Sequence, residues 1–233
     1  MKNQDYFDFE LNFDIDSKPR EKAPQPSYQD MRGAGLDNMF LMNAPGNNAW
    51  GIPDTYPFTG DLSGIEWIDF GNINKQTDCE NYGLSYYVED YKFKCIWNNP
   101  QKYVELLKRF RAVITPDFSN YADMANAQQL WNTYRRQWCG KFWQDNGIKI
   151  INSLSWATGN IQDWTFSGIP EGTTCATSFV GNRIDKETAM KDLEFVINLK
   201  KPCKLYIKAS ERDVKILRKN FDFDVIRPYE GWI

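Results

Sequence analysis

From Ile65 onward the chain alternates short apolar runs with longer amphipathic ones. Parallel strands joined by covering helices produce that alternation, because each strand needs a crossover to carry the chain back along the sheet. The strand candidates are Ile65 to Phe70, Leu84 to Val88, Ala112 to Thr115, Ile148 to Leu154, Thr174 to Val180, Lys204 to Lys208 and Phe223 to Ile226. Pro100, behind Asn98 or Asn99, opens a helix in which Tyr103, Leu106, Leu107 and Phe110 share one face. A longer helix is expected from about Tyr121 to Asp145, with Ala127, Leu130, Trp131, Tyr134, Trp138 and Phe142 at helical spacing and Gly147 ending it. Asn182 or Asp185 starts the next, carrying Ala189, Leu193, Val196, Ile197 and Leu199, and Ser210 caps a last one through Val214, Leu217 and Arg218. The pattern is that of an α/β fold, either a small or incomplete β/α barrel or an open doubly wound sheet. The connections follow one another without a clear reversal, which favours the barrel-like form.

Residues 1–57 lack any such period. Pro19, Pro24, Pro26, Pro45, Pro53 and Pro57 interrupt them, yet Tyr6, Phe7, Phe9, Leu11, Phe13, Leu36, Phe40, Leu41 and Trp50 are too many apolar side chains for a free tail. This stretch reads as an irregular arm, docked on the body or on a protein partner, ahead of a single α/β domain over residues 58–233. An aromatic share of 15% supplies large rings for that domain's core.

Several chemistries are excluded by composition. The chain has no histidine, which removes Ser-His-Asp and Cys-His nucleophiles and histidine-ligated zinc. Cys79, Cys95, Cys139, Cys175 and Cys203 are scattered without a Cys-x-x-Cys pair and read as reduced core thiols. No metal site is expected, and the cofactor, if any, is left open. The acidic first residues do not resemble a leader, and no apolar run approaches the roughly 20 residues that cross a bilayer. A cytoplasmic protein without a membrane partner is expected.

Charge is unevenly distributed. Residues 1–90 hold 6 basic and 16 acidic residues, a balance of -10, within a chain whose net charge is -3. The basic remainder can pair with the acidic half inside one fold, or face a polyanion. Lys204, Lys208, Arg212 and Lys215 could share a surface for nucleic-acid phosphates, although lysine-rich solvated helix faces are ordinary.

In α/β folds of either kind, ligands bind beyond the carboxyl ends of the strands, where loops converge and helix N-termini point inward. Asp117 follows the Ala112 strand as a potential catalytic base or a simple turn cap. Ser153 and Ser155 fall on one side of the Ile148 strand, followed by Trp156, and suit an oxyanion or a sugar. Ser178, then Gly181, Asn182 and Arg183, end the Thr174 strand and open a helix, where an anion or a plain turn would fit. Arg135 and Arg136 can grip phosphate or carboxylate, while Trp131, Tyr134, Trp138 and Phe142 form a buried stripe.

The succession Pro116-Asp117-Phe118-Ser119, Tyr134-Arg135-Arg136-Gln137-Trp138-Cys139-Gly140-Lys141-Phe142-Trp143-Gln144, Ser153-Leu154-Ser155-Trp156 and Phe166-Ser167-Gly168-Ile169-Pro170 resembles the domain of unknown function 4417 family. The resemblance runs from about Tyr86 to Tyr206 and is weaker up to Trp67. Members are encoded largely by bacteriophages, plasmids and integrated elements, so it implies an intracellular accessory protein of a mobile element and no particular reaction. Where the family often has a glycine and a carboxylate after the serine-tryptophan motif, this chain has Ala157, Thr158 and Gly159. Two functional readings stand. One is a pocket for a small anionic or sugar-like ligand at the strand ends. The other is a module that binds nucleic acid or a host protein, serving replication, transfer or counter-defence.

Overall fold

The computed structural model describes residue 38 and residues 46–75, 79–180 and 185–227. Among them seven strands form one sheet: β1 (Glu66–Asp69), β2 (Tyr82–Ser85), β3 (Ala112–Ile114), β4 (Ile150–Ser153), β5 (Thr174–Ser178), β6 (Lys204–Lys208) and β7 (Asp224–Val225). Their order in the sheet is their order in the chain, and every neighbouring pair is parallel. A doubly wound sheet reverses direction at a switch point; this one never does, and it curls into a half-barrel. The barrel-like expectation holds, and the doubly wound alternative falls.

Helices cover the outside. They are α1 (Asp90–Asn98), α2 (Val104–Leu107), α3 (Asn126–Asp145), α4 (Lys186–Lys200) and α5 (Glu211–Leu217). The first was not foreseen, although Phe93, Ile96 and Trp97 occupy one of its faces and are buried. The helix expected at Pro100 is instead a 3-10 turn, Pro100–Tyr103, running into the single turn of α2. The long helix starts later than expected because Gln129 Nε2 donates to the carbonyls of Tyr121 and Met124, holding residues 121–125 in a turn. Asp185 and Ser210 cap α4 and α5 by accepting from the N–H of Thr188 and Asp213.

Successive strand side chains alternate between faces, so positions two apart line the interior. Leu62, Trp67, Tyr87, Ala112, Ile114, Ile151, Ala176, Tyr206 and Ile226 form that inner cluster. Trp67 and Tyr206 meet edge to face at 5.2 Å, although β1 and β6 are not neighbours in the sheet. The contact therefore spans the barrel interior. Gly83 makes room for it, because a Cβ there would stand 2.5 Å from the Trp67 ring.

Outside the sheet, α4 and α5 bury Leu193, Val196, Val214 and Leu217 against Cys175, Leu205 and Ile207. On the other flank, Tyr86 stacks on Trp143 and Phe70, and Trp138 stacks on Phe142. The expected apolar stripe of the long helix is thus buried at Trp138 and Phe142, whereas Trp131 is 39% exposed. The segment ahead of β1 is tied down as well. Thr55 N–H donates to the Gly168 carbonyl at 2.9 Å, and Tyr56 exchanges two hydrogen bonds with the Gln144 amide. All five cysteines are free; Cys203, expected in the core, is exposed at the start of β6. No helix among the described residues is long and apolar enough to cross a membrane.

Replacing Trp67 with alanine removes the largest cross-barrel contact and leaves a cavity beside Gly83. Urea denaturation of Trp67→Ala is expected to show a loss of ~3–5 kcal/mol, against under ~0.5 kcal/mol for Trp50→Ala at an exposed position.

Candidate functional site

The last inward positions of β1, β2, β4, β5 and β6 are Asp69, Ser85, Ser153, Ser178 and Lys208, so polar side chains replace apolar ones at the carboxyl ends of the strands. Register brings Asp69 beside Ser85 and Ser178 beside Lys208. Lys208 Nζ reaches across the barrel to both Asp69 carboxylate oxygens, at 3.1 and 2.9 Å, and to the Tyr87 carbonyl at 2.8 Å. Ser85 Oγ donates to Asp69 as well. With three acceptors facing it, Lys208 is not a free phosphate contact.

Next to this pair lies a second group. Tyr87 Oη and Ser153 Oγ stand 3.3 Å apart, and Ser153 N–H donates to Thr115 Oγ1 at 2.8 Å. Asp117 sits just beyond β3 with its Oδ1 buried and without a hydrogen-bond partner. Burial pushes its carboxyl up to about 6, against the Ser155 and Ser153 hydroxyls and the Arg136 guanidinium, which favour the charged form. Arg136 is wholly buried and donates to the carbonyls of Ser155 at 3.0 Å and Thr165 at 2.9 Å. Its burial brings the guanidinium down to about 10, opposed by Asp117 and Tyr87, and it remains charged at neutral pH. The Tyr87 phenol is held well above its ordinary value, first by burial and then by the Asp117 charge.

α3 explains how these groups are supported. Its face towards the loops buries Gln129, Asn132, Thr133, Arg136 and Gln137, a polar stripe at helical spacing where an apolar one is usual. Asn132 Nδ2 donates to the Ser119 carbonyl at 2.6 Å, and Gln137 Nε2 to the Ser167 carbonyl at 3.4 Å. Gly168, with φ of 78°, turns the chain so that residues 53–55 can cross it; a Cβ there would lie 2.2 Å from the Pro53 carbonyl.

The candidates from sequence divide clearly. Asp117, Arg136, Ser153 and Ser155 come together, and Ser178 lies on the rim. Arg135 does not join them: its guanidinium lies 4.0 Å over the Phe118 ring and bonds Asn132. Trp156 is turned outward, its Nε1 donating to Asp192 of α4 at 3.1 Å. Asn182 and Arg183 lie outside the described residues. Lys208 is not part of a basic surface, because its place in the alternation of β6 points it inward onto Asp69. Lys204 pairs with Asp224 at 2.9 Å, while Arg212 and Lys215 are exposed on α5. Asp69, Ser85, Tyr87, Thr133 and Gln137 were not singled out, although inward alternation on β1 and β2 carried the signal for the first three. Among the described residues no cluster of three or more carboxylate or thiol groups could hold a metal ion. A separate cavity of about 370 Å³ opens between α4 and the far side of the 161–167 segment, lined by Ile161, Phe166, Phe195 and Leu199.

The sequence profile of the domain of unknown function 4417 matches residues 44–227. The chain belongs to that family. The match extends beyond the motifs on both sides and takes in residues 53–67, where the resemblance had been weaker. Two curated relatives are each called "Gene 1 protein". The one from Mycobacterium phage D29 is 32% identical over 164 residues, 69% of this chain and 61% of the relative. The one from Mycobacterium phage L5 is 38% identical over 122 residues, 51% of this chain and 53% of the relative. The chain thus spans little more than half the length of these phage proteins. No solved structure matches it. Within the family motifs, Asp117, Arg136, Gln137, Ser153, Ser155 and Gly168 are residues that meet around this one polar site or its support.

Two outcomes test the arrangement. Lys208→Met should cost ~3 kcal/mol by leaving Asp69 buried without its cation, and adding Asp69→Asn should recover part of that loss, read as a double-mutant cycle in urea. Asp117 has a folded-state value above its unfolded one, so the stability it contributes is present in acid and is lost as pH rises through about 6. Asp117→Asn, which cannot ionise, should therefore gain on the wild type by roughly 2 kcal/mol between about pH 4 and about pH 8.

Proposed function

We propose that this family member is an accessory protein of a phage or other mobile element that binds a small polar ligand at the carboxyl end of its half-barrel, with Asp117 as the group that can take or give a proton. The observation that carries this reading is the unmet hydrogen bonding there: Asp117 Oδ1, Asn120 Oδ1, Thr133 Oγ1, Arg136 Nε and Gln137 Oε1 are all buried and without partners. Buried polar atoms are otherwise almost always paired, since each unpaired one costs ~1–3 kcal/mol. Asp117 is set beside Arg136, Ser153 and Ser155, and Thr133 and Gln137 are buried on the same helix as Arg136, an arrangement that a bound ligand would complete. The phage origin of the two curated relatives supports the mobile-element context.

Of the two ligand types suggested by sequence, sugar-like is the better supported. The cations that would have held an anion are engaged, Lys208 by Asp69 and Arg136 by two carbonyls. The same engagement weakens the nucleic-acid alternative, which is left with Arg212 and Lys215 as unpaired members of its basic set. A carboxyl near pH 6 beside Tyr87 and Ser153 suits general acid or base chemistry in a chain without histidine. A thermal-shift screen of sugars, nucleotides and organic acids is the test. At least one compound should stabilise the wild type and fail to stabilise Asp117→Ala; stabilisation indifferent to that substitution across the whole library would remove the reading.

A further inference from the structure

We infer that the ligand of this site is a hydroxylated small molecule carrying a protonated amine, an amino-sugar-like compound seated with its nitrogen against Asp117. The inference rests on the pocket reading above and specifies what the pocket selects.

The unpartnered atoms are unequal in kind. Asp117 Oδ1 while ionised and Gln137 Oε1 can only accept, Thr133 Oγ1 can do either, Arg136 Nε can only donate, and the Asn120 amide can turn either its oxygen or its nitrogen to the site. The orientation of Gln137 follows from its bond to the Ser167 carbonyl, which requires a donor and so assigns Nε2 to that side. A complementary ligand must therefore bring more donors than acceptors. Phosphate and carboxylate bring acceptors only. An ammonium group brings three donors in a tetrahedral array, and neighbouring hydroxyls add others.

Charge points the same way. Asp90, whose field also acts on Asp117, is answered by the N–H and hydroxyl of Ser119 rather than by a cation. Lys92, two residues along α1 from Asp90, pairs with Glu89 at 2.6 Å. Lys208 is bound to Asp69, and Arg135 lies over the Phe118 ring. Of the charges acting on the Asp117 carboxyl, Arg136 favours its ionised form and Asp90 opposes it. A positive ligand group would pair with the ionised Asp117 carboxylate, whose Oδ1 has no hydrogen-bond partner.

Three probes on one scaffold separate the possibilities: glucosamine, glucose and glucose 6-phosphate, titrated calorimetrically into the full chain at neutral pH and constant ionic strength. Glucosamine should bind at least ~10-fold tighter than glucose, lose ~10-fold in Asp117→Asn and be unaffected by Arg212→Gln. Asn120→Asp, which turns an unpartnered oxygen into a carboxylate at a half-buried position, should strengthen glucosamine binding and provides a reading independent of any damage at Asp117. Asp117-dependent binding that favours glucose or glucose 6-phosphate would overturn the amine while leaving the pocket intact. If none of the three binds in an Asp117-dependent way, the amino-sugar inference is wrong; the pocket itself then stands or falls with the wider library screen.

Discussion

The half-barrel depends on side chains that meet across its interior. Strands β1 and β6 share no ladder hydrogen bonds, so nothing in the backbone dictates how far the sheet curls. Two contacts set it: the Trp67 ring against Tyr206, and above it the Asp69 carboxylate on Lys208. The lower contact is a hydrophobic term that needs Gly83 for space, and the upper one is an ion pair whose burial is tolerable because Ser85 and the Tyr87 carbonyl complete its hydrogen bonds. Together they fix the distance between opposite walls, and hence the geometry of everything at the mouth.

That division gives the mouth two characters. On the β1, β2 and β6 side the polar groups satisfy one another, which is the condition under which buried charge holds a structure together. On the β3 and β4 side they do not. There the middle of α3 presents Asn132, Thr133, Arg136 and Gln137 to loops that answer only some of their atoms. Rigid support on one side and unsatisfied groups on the other is the arrangement that pre-organises a site without filling it, and it is the reason for reading function into the second group and structure into the first.

The sequence favoured the barrel-like order, because its units follow one another without a clear reversal and such crossovers share one hand, but periodicity left the doubly wound order open. Strand identities were legible, since Ala112–Ile114 and Lys204–Lys208 stand out as short apolar runs between polar segments. Less of the site could be read. Asp117, Arg136, Ser153 and Ser155 follow from position at strand ends, but Lys208 looked like one member of a lysine series, and only its inward place on β6 separates it from Lys204. The polar face of α3 was hidden by the ring-bearing face of the same helix, because Trp138 and Phe142 satisfy the helical period by themselves. The bonds from residues 55 and 56 to Gly168 and Gln144 had no local signal at all: they join positions 113 and 88 residues apart through backbone groups and an amide.

The absence of histidine acquires its meaning from Asp117. On the proposed reading, a chain that moves a proton near neutrality without imidazole has to shift another group into that range, and desolvation of a carboxyl is the direct route. It works only if the shift is limited, since a fully apolar pocket would keep the acid neutral and useless as a base. Arg136 and the two serine hydroxyls supply that limit, drawing the carboxyl back down to about 6. The guanidinium can do this because it is itself anchored, through Ser155 and Thr165, to carbonyls that neither titrate nor move with the carboxyl. The family motifs around Asp117, Arg136 and Ser155 are thus three parts of one electrostatic setting.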